Sequence, residues 1–167
     1  MESRAAIAIL ALFALACSPE LDWRDLRSAE GDFSALMPSK PRYEVRALEG
    51  TPPVTMHLWS ARAANSLFGV GYVDYPVADG RVLERTRDAL VGNIRGRLLE
   101  DVPVAQAGLR GRAFVAEGGD SLLRTRLLVS GTRLYQLVVL GRGASVSDAD
   151  AEFFLSSFHP LKPAAAE

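Results

Sequence analysis

Apolar and polar positions alternate two by two along most of this chain, and in two stretches the spacing lengthens to the three-to-four rhythm of a helix. The period-two segments predict strands at Phe33–Met37 and at residues 43–48, 54–62 and 67–75. Three more fall at residues 109–117, 122–129 and 134–140. Pro38-Ser39-Lys40-Pro41 turns the chain between the first two, which suggests an opening hairpin. Gly118-Gly119-Asp120 and Ser130-Gly131-Thr132 separate the last three, which should form a meander. Leu83, Leu90, Ile94 and Leu98 recur at helical spacing and predict a long helix over about residues 80–99, with Asp79 placed to cap it. A second helix should start near Ser147 and bury Ala151, Phe154, Leu155 and Phe158, with Pro160 ending it.

Strands, a helix, three more strands and a last helix, joined by short turns, specify an α+β domain. Its sheet is mostly antiparallel, of about six or seven strands, with one long helix and a C-terminal helix packed on it. Gly69 and Gly71 fall on one face of a strand and leave a flat patch against which the long helix could pack, or which a ligand could use.

The N-terminus does not fit this rhythm. Residues 5–16 are uninterruptedly apolar, follow Arg4, and end in Ala14-Leu15-Ala16 before Cys17, the only cysteine. A helix of that length rises about 18 Å, short of a hydrocarbon core of about 30 Å, so the segment is an export signal and not a span. Ala14-Leu15-Ala16-Cys17 resembles the bacterial lipoprotein signal, in which the cysteine receives a diacylglycerol and becomes the mature N-terminus. Ordinary secretory cleavage would cut the same bond. A lone thiol in an oxidising compartment is open to oxidation and unwanted pairing, and acylation removes it. The expected organisation is a signal peptide at residues 1–16, a tether at 17–28, the domain at 29–161 and a disordered tail at 162–167. The protein is expected to be exported and held at a membrane through lipidated, palmitate-bearing Cys17, on the periplasmic face. Ser18 after the cysteine points to the outer membrane if the host is Gram-negative.

Phe33-Ser34-Ala35-Leu36-Met37-Pro38, the strand at residues 135–140 and the closing Glu152-Phe153-Phe154-Leu155-Ser156-Ser157-Phe158 resemble the PsbP-like fold and the bacterial proteins built on it. The resemblance spans most of residues 29–161 and implies an α/β/α sandwich. Its motifs are packing motifs, so it carries over no catalytic residue. PsbP itself is a membrane-associated accessory protein of photosystem II; nothing in this sequence indicates a photosynthetic role.

Composition narrows the chemistry. At 167 residues, 49% hydrophobic, 23% charged and a net charge of -1, the chain has the makeup of one globular domain and no pull toward nucleic acid. His57 and His159 are the only histidines, so no metal-ligand cluster and no cofactor is expected. Gly118-Gly119-Asp120-Ser121 lacks the frame of a serine nucleophile, and Gly69-Val70-Gly71 lacks that of a phosphate loop. Arg110 and Arg112 alternate on one strand, and Arg124 and Arg126 on the next. A hairpin at Gly118-Gly119 could unite the four as an anion-binding patch for an envelope protein or an anionic headgroup, unless acids from elsewhere neutralise them. The sequence thus favours a membrane-tethered, non-catalytic binding or assembly module. The alternatives are a secreted enzyme with dispersed carboxylates such as Asp74, Asp79, Glu100 and Asp101, and a purely structural lipoprotein.

Overall fold

A computed structural model describes residues 21–50, 52–77, 79–142 and 146–162. Cys17, the signal segment 1–16 and the tail residues 163–167 lie outside the described residues. The fold is α+β, with ten strands and two helices among the described residues, β1 (Arg24–Ser28), β2 (Phe33–Met37), β3 (Arg42–Leu48), β4 (Val54–Ala63), β5 (Ser66–Asp74), α1 (Val82–Asn93), β6 (Arg97–Gln106), β7 (Leu109–Gly118), β8 (Ser121–Ser130), β9 (Arg133–Arg142), α2 (Asp148–Ser156) and β10 (His159–Pro160). Seven strands form one antiparallel sheet in the order β3-β4-β5-β9-β8-β7-β6, and β1-β2-β10 form a smaller one.

The turns explain why the hairpins form. Ala64 and Asn65 both take positive φ between β4 and β5, and Ala107 and Gly108 do so between β6 and β7, the backbone twist that two-residue hairpins require. Gly119 and Gly131 supply one positive φ each to the next two turns. The expected three-strand meander is therefore a four-strand one, β6 to β9. The sheet packs on both faces, fully on one and in part on the other. Phe68, Val70 and Tyr72 of β5 and Tyr135, Leu137 and Val139 of β9 pack with the small sheet and α2. The opposite parity, with Phe114, Ala116, Leu123, Leu127 and Leu134, packs against α1.

Three local expectations are corrected. β2 and β3 belong to different sheets, so Pro38 to Pro41 carries the chain across the sandwich and makes no hairpin. Residues 24–28 of the expected tether are strand β1, paired along its length with β2. The long helix stops at Asn93, because Arg95 adopts φ 50° and the Arg95 and Gly96 amides donate to Gly92 and Val91 carbonyls at 2.9 and 3.0 Å. Those bonds close a Schellman turn. Leu98, spaced to extend the helix face, instead lies in edge strand β6 and is exposed. Pro103 is tolerated in the same strand because an edge leaves one side of the ladder unbonded.

The C-terminal helix starts as expected, with Ser147 Oγ accepting the Asp150 amide at 3.0 Å. It ends at Ser156, ahead of Pro160, and the chain then adds β10 to the small sheet.

Candidate functional site

A helix with its side chains is about 10–12 Å wide, and neighbouring strands lie about 4.8 Å apart, so one helix covers two or three strands. α1 lies over β7 and β8, anchored by Val82, with Leu83, Leu90, Val91 and Ile94 half-buried against the sheet. On the same face β3, β4, β5 and β9 still present Leu48, Val54, Met56, Leu58, Leu67, Val138 and Leu140, all half-exposed. The result is a trough of about 860 Å³ along the flank of α1. Gly69 deepens it, whereas a Cβ on Gly71 would meet the His57 carbonyl oxygen at 2.5 Å and Met56 Cε at 3.3 Å. The helix does not pack on the two glycines, contrary to the first of the two sequence expectations for that patch.

The two ends of the trough differ. Near the start of α1 the rim carries Arg46, Glu49, Asp79 and Arg85, while the far end is closed by Leu67, Leu123, Leu140 and Ile94. Asp79 is already engaged: its carboxylate accepts the Arg81 amide at 2.8 Å and the Arg85 guanidinium. The Arg81 amide, with Arg85 second, holds it below the usual carboxylate range, so it is an acceptor in the turn before α1 and not a base. It does not cap the helix as the sequence suggested, because the N-cap position is Arg81 and carries no side-chain cap bond. Gln136 is buried in the trough lining, on the strand row shared with Gly71 and Leu58.

The four arginines are brought to neighbouring strands but to opposite faces. Gly118 stands opposite Ser121, which sets Arg112 opposite Leu127 and Arg124 opposite Val115. Arg112 therefore shares the α1 face with Leu127, and Arg124 and Arg126 look toward α2. Arg112 donates to Asp101 at 2.8 Å, Arg124 pairs with Asp148, and Arg126 pairs with Glu152 and with Gln106 Oε1 at 2.7 Å. Acids from other elements neutralise three of the four, and no single anion site forms from the set.

Asp101 is held between Arg112 and Arg87, the latter at 2.6 Å, and its side chain is only 16% exposed. The hydrogen bond from Arg112, ahead of that from Arg87, lowers its pKa. A depressed carboxylate contributes stability that is complete above the unfolded value near 4 and is lost as pH falls through the lower folded value. Asp101→Ala also leaves Arg87 and Arg112 facing each other. It is expected to cost about 1–3 kcal/mol at neutral pH. In urea titrations the difference from wild type should shrink as pH falls below 4.

The dispersed carboxylates do not converge. Asp74, on β5, holds Arg133 at 2.6 and 2.7 Å, and Asp101, on β6, stands four strands away. Arg133 also lies over the Tyr72 ring, 4.4 Å from its centroid. Burial, with Glu30 next, pushes the Tyr72 hydroxyl up to about 12. His57 stacks on Tyr72 at 4.6 Å, and its Nδ1 is 2.7 Å from the Tyr43 hydroxyl, so it is one member of an aromatic ladder. His159 is exposed in β10, three residues beyond the end of α2. Among the described residues no group of three His, Cys, Asp or Glu side chains could hold a metal ion. No helix among them is long and apolar enough to cross a membrane.

Sequence reading named Gly69, and Leu90 and Ile94 as a helix face, but none of the trough's apolar walls on the sheet. The signal was present: β4, β5 and β9 carry apolar residues at both parities, hence on both faces, and one helix cannot cover a seven-stranded sheet.

The chain matches no family model and no curated protein. Among solved structures it is similar to the solution structure of cyanobacterial PsbP (CyanoP) from Synechocystis sp. PCC 6803. The TM-score is 0.55 at 10% identity, over 96% of this chain and 98% of that one. A crystal structure from Bacteroides thetaiotaomicron VPI-5482 aligns at TM-score 0.38 and 14% identity, over 78% of this chain and 46% of that one. With its seven-stranded antiparallel sheet between α1 and the layer of α2 and the small sheet, the chain has the PsbP-like fold.

Proposed function

We propose that this protein is an exported, membrane-tethered binding module that holds an apolar ligand in the trough beside α1 and performs no chemistry on it. The trough carries the reading. Its volume of about 860 Å³ lies within the range of about 300–1,000 Å³ common to small-molecule sites, and apolar side chains line most of it. A sheet face left uncovered exposes apolar surface that water disfavours, so a ligand burying it gains roughly 25 cal/mol per Å² before the costs of binding. The charged rim at one end and the leucine-lined far end suit an amphiphile, head outward and chain inward. The apolar run at residues 5–16 and Cys17 support the tether, and a PsbP-like fold is in keeping with an accessory module.

Gly69 offers the means of testing the site. A Cβ there would meet Leu58 Cδ1 at 3.5 Å, an ordinary contact, so a larger side chain can be accommodated and would project into the trough. Titrating the full chain with the apolar fluorophore anilinonaphthalene sulfonate should give saturable binding, weakened at least about tenfold in Gly69→Trp with the thermal midpoint kept. Equal binding by both proteins would remove the trough as the site. The mass of the N-terminal fragment of the native protein tests the tether separately: a diacylglycerol-sized increment on Cys17 is expected, and an unmodified thiol there defeats the anchoring.

A further inference from the structure

The two edges of the large sheet are built differently. β6 carries a bulge between Leu98 and Glu100 and a proline, Pro103, both of which spoil an edge as a template for another strand. β3 has neither. Its seven residues, Arg42–Leu48, pair regularly with β4 on the inner side, and no described residue pairs with the outer side. Its side chains are open: Tyr43 is 46% and Val45 55% exposed, and the Glu44 and Arg46 side chains are 34% and 59% exposed.

We propose that β3 pairs antiparallel with β3 of a second copy of this chain, about a two-fold axis at Val45, joining the two seven-stranded sheets into one. Antiparallel partners directly opposite each other share a sheet face, so a symmetric pairing must be centred on a residue and not between two. The charges along Arg42-Tyr43-Glu44-Val45-Arg46, together with the length of strand paired, then choose the centre, since centring on Tyr43 also opposes Arg42 and Glu44 but pairs only residues 42–44 of β3. Centring on Glu44 sets acid against acid and Arg42 against Arg46; centring on Arg46 sets two guanidiniums together. Centring on Val45 sets Glu44 opposite Arg46 of the second copy, twice by symmetry, and uses the whole strand. On the other face Val45 meets Val45 and Tyr43 lies over Ala47, an aromatic on a small residue. The Glu44 and Arg46 side chains now bridge to each other within one strand at 2.6 Å, and in the pair they exchange partners. Because the axis is normal to the sheet, both troughs open on the same side, with Arg46 and Leu48 of each copy between them. This pairing does not depend on what the trough binds.

Native mass spectrometry of the full chain in detergent tests it. At about 50 μM the wild type is expected as two copies per particle, and Glu44→Arg, which makes every cross-strand charge pair repulsive, should raise the dissociation constant at least about tenfold. Arg46→Glu produces the same clash with opposite sign and serves as the second variant, with circular dichroism confirming that each is folded. Combining Glu44→Arg with Arg46→Glu restores opposite charges and should restore the pair. A wild type that is a single copy, single variants that remain paired, or a double variant that stays apart each overturns the proposal.

Discussion

Replacing Phe33 with alanine is expected to lower the unfolding free energy by about 3–5 kcal/mol, the range for emptying a buried aromatic site. The upper half of that range is expected because of what the ring joins. Phe33 begins β2 and is 0% exposed. Its ring stacks on Phe158 at 5.6 Å, meets Trp59 of β4 edge-on at 5.4 Å, and lies 6.0 Å from Tyr135 of β9. Beside it the Tyr135 hydroxyl donates to the Gly31 carbonyl at 2.9 Å. One side chain thus ties the small sheet and the segment after α2 to two strands of the large sheet, and the cavity left by alanine cannot be filled from one side. Against a total of about 5–15 kcal/mol for a domain, that loss approaches unfolding. Urea denaturation should show it as a lowered midpoint, and Phe33→Leu should recover most of it. A loss below about 1 kcal/mol would mean that the two sheets are joined elsewhere.

The pairing of sheets by one ring also shows where sequence reading reaches its limit. The period-two pattern placed Phe33–Met37 correctly because alternation is a property of the strand itself. Which sheet a strand joins is not such a property. Pro38 and Pro41 announce a change of direction, and the same residues serve a hairpin or a crossing between layers. The end of α1 was hidden for a similar reason. Arg95 takes the left-handed conformation that a glycine usually supplies, while Gly96 occupies the next position, so the stop signal stood one residue out of place.

The arginines show what one more inference would have given. Placing each pair on one face of its own strand needed only alternation. Relating the strands to each other needed the turn. With Gly119 and Asp120 as a two-residue turn, even-numbered positions of β7 stand opposite odd-numbered positions of β8. Arg110, Arg112, Arg124 and Arg126 are all even, so a two-residue turn separates the pairs and a three-residue turn would have united them. The trough was less accessible still. It exists because of an uncovered width of sheet, which depends on strand order and on where α1 comes to rest, and neither is written locally.

Gly111 carries the second large effect, and it sits unnoticed between two of those arginines. A Cβ on Gly111 would lie 1.8 Å from the Leu127 carbonyl oxygen and 3.0 Å from the Leu128 Cα, both backbone atoms of β8. Neither can withdraw as a side chain would, because β8 is bonded to β7 on one side and β9 on the other. Adding one methyl group must therefore pull two paired strands apart or break the ladder between them, and Gly111→Ala is expected to cost about 3 kcal/mol or more. Gly69 is also a buried strand glycine of the same sheet, but its Cβ would find ordinary contact. Gly69→Ala should lie within about 0.5 kcal/mol of wild type, or be slightly stabilising through the unfolded chain. Thermal unfolding of the two variants side by side separates a glycine required by close approach of backbones from one that merely borders empty space. Equal midpoints would show that β7 and β8 can part at Gly111 without loss, and that the register holding Arg112 away from Arg124 is looser than the ladder implies.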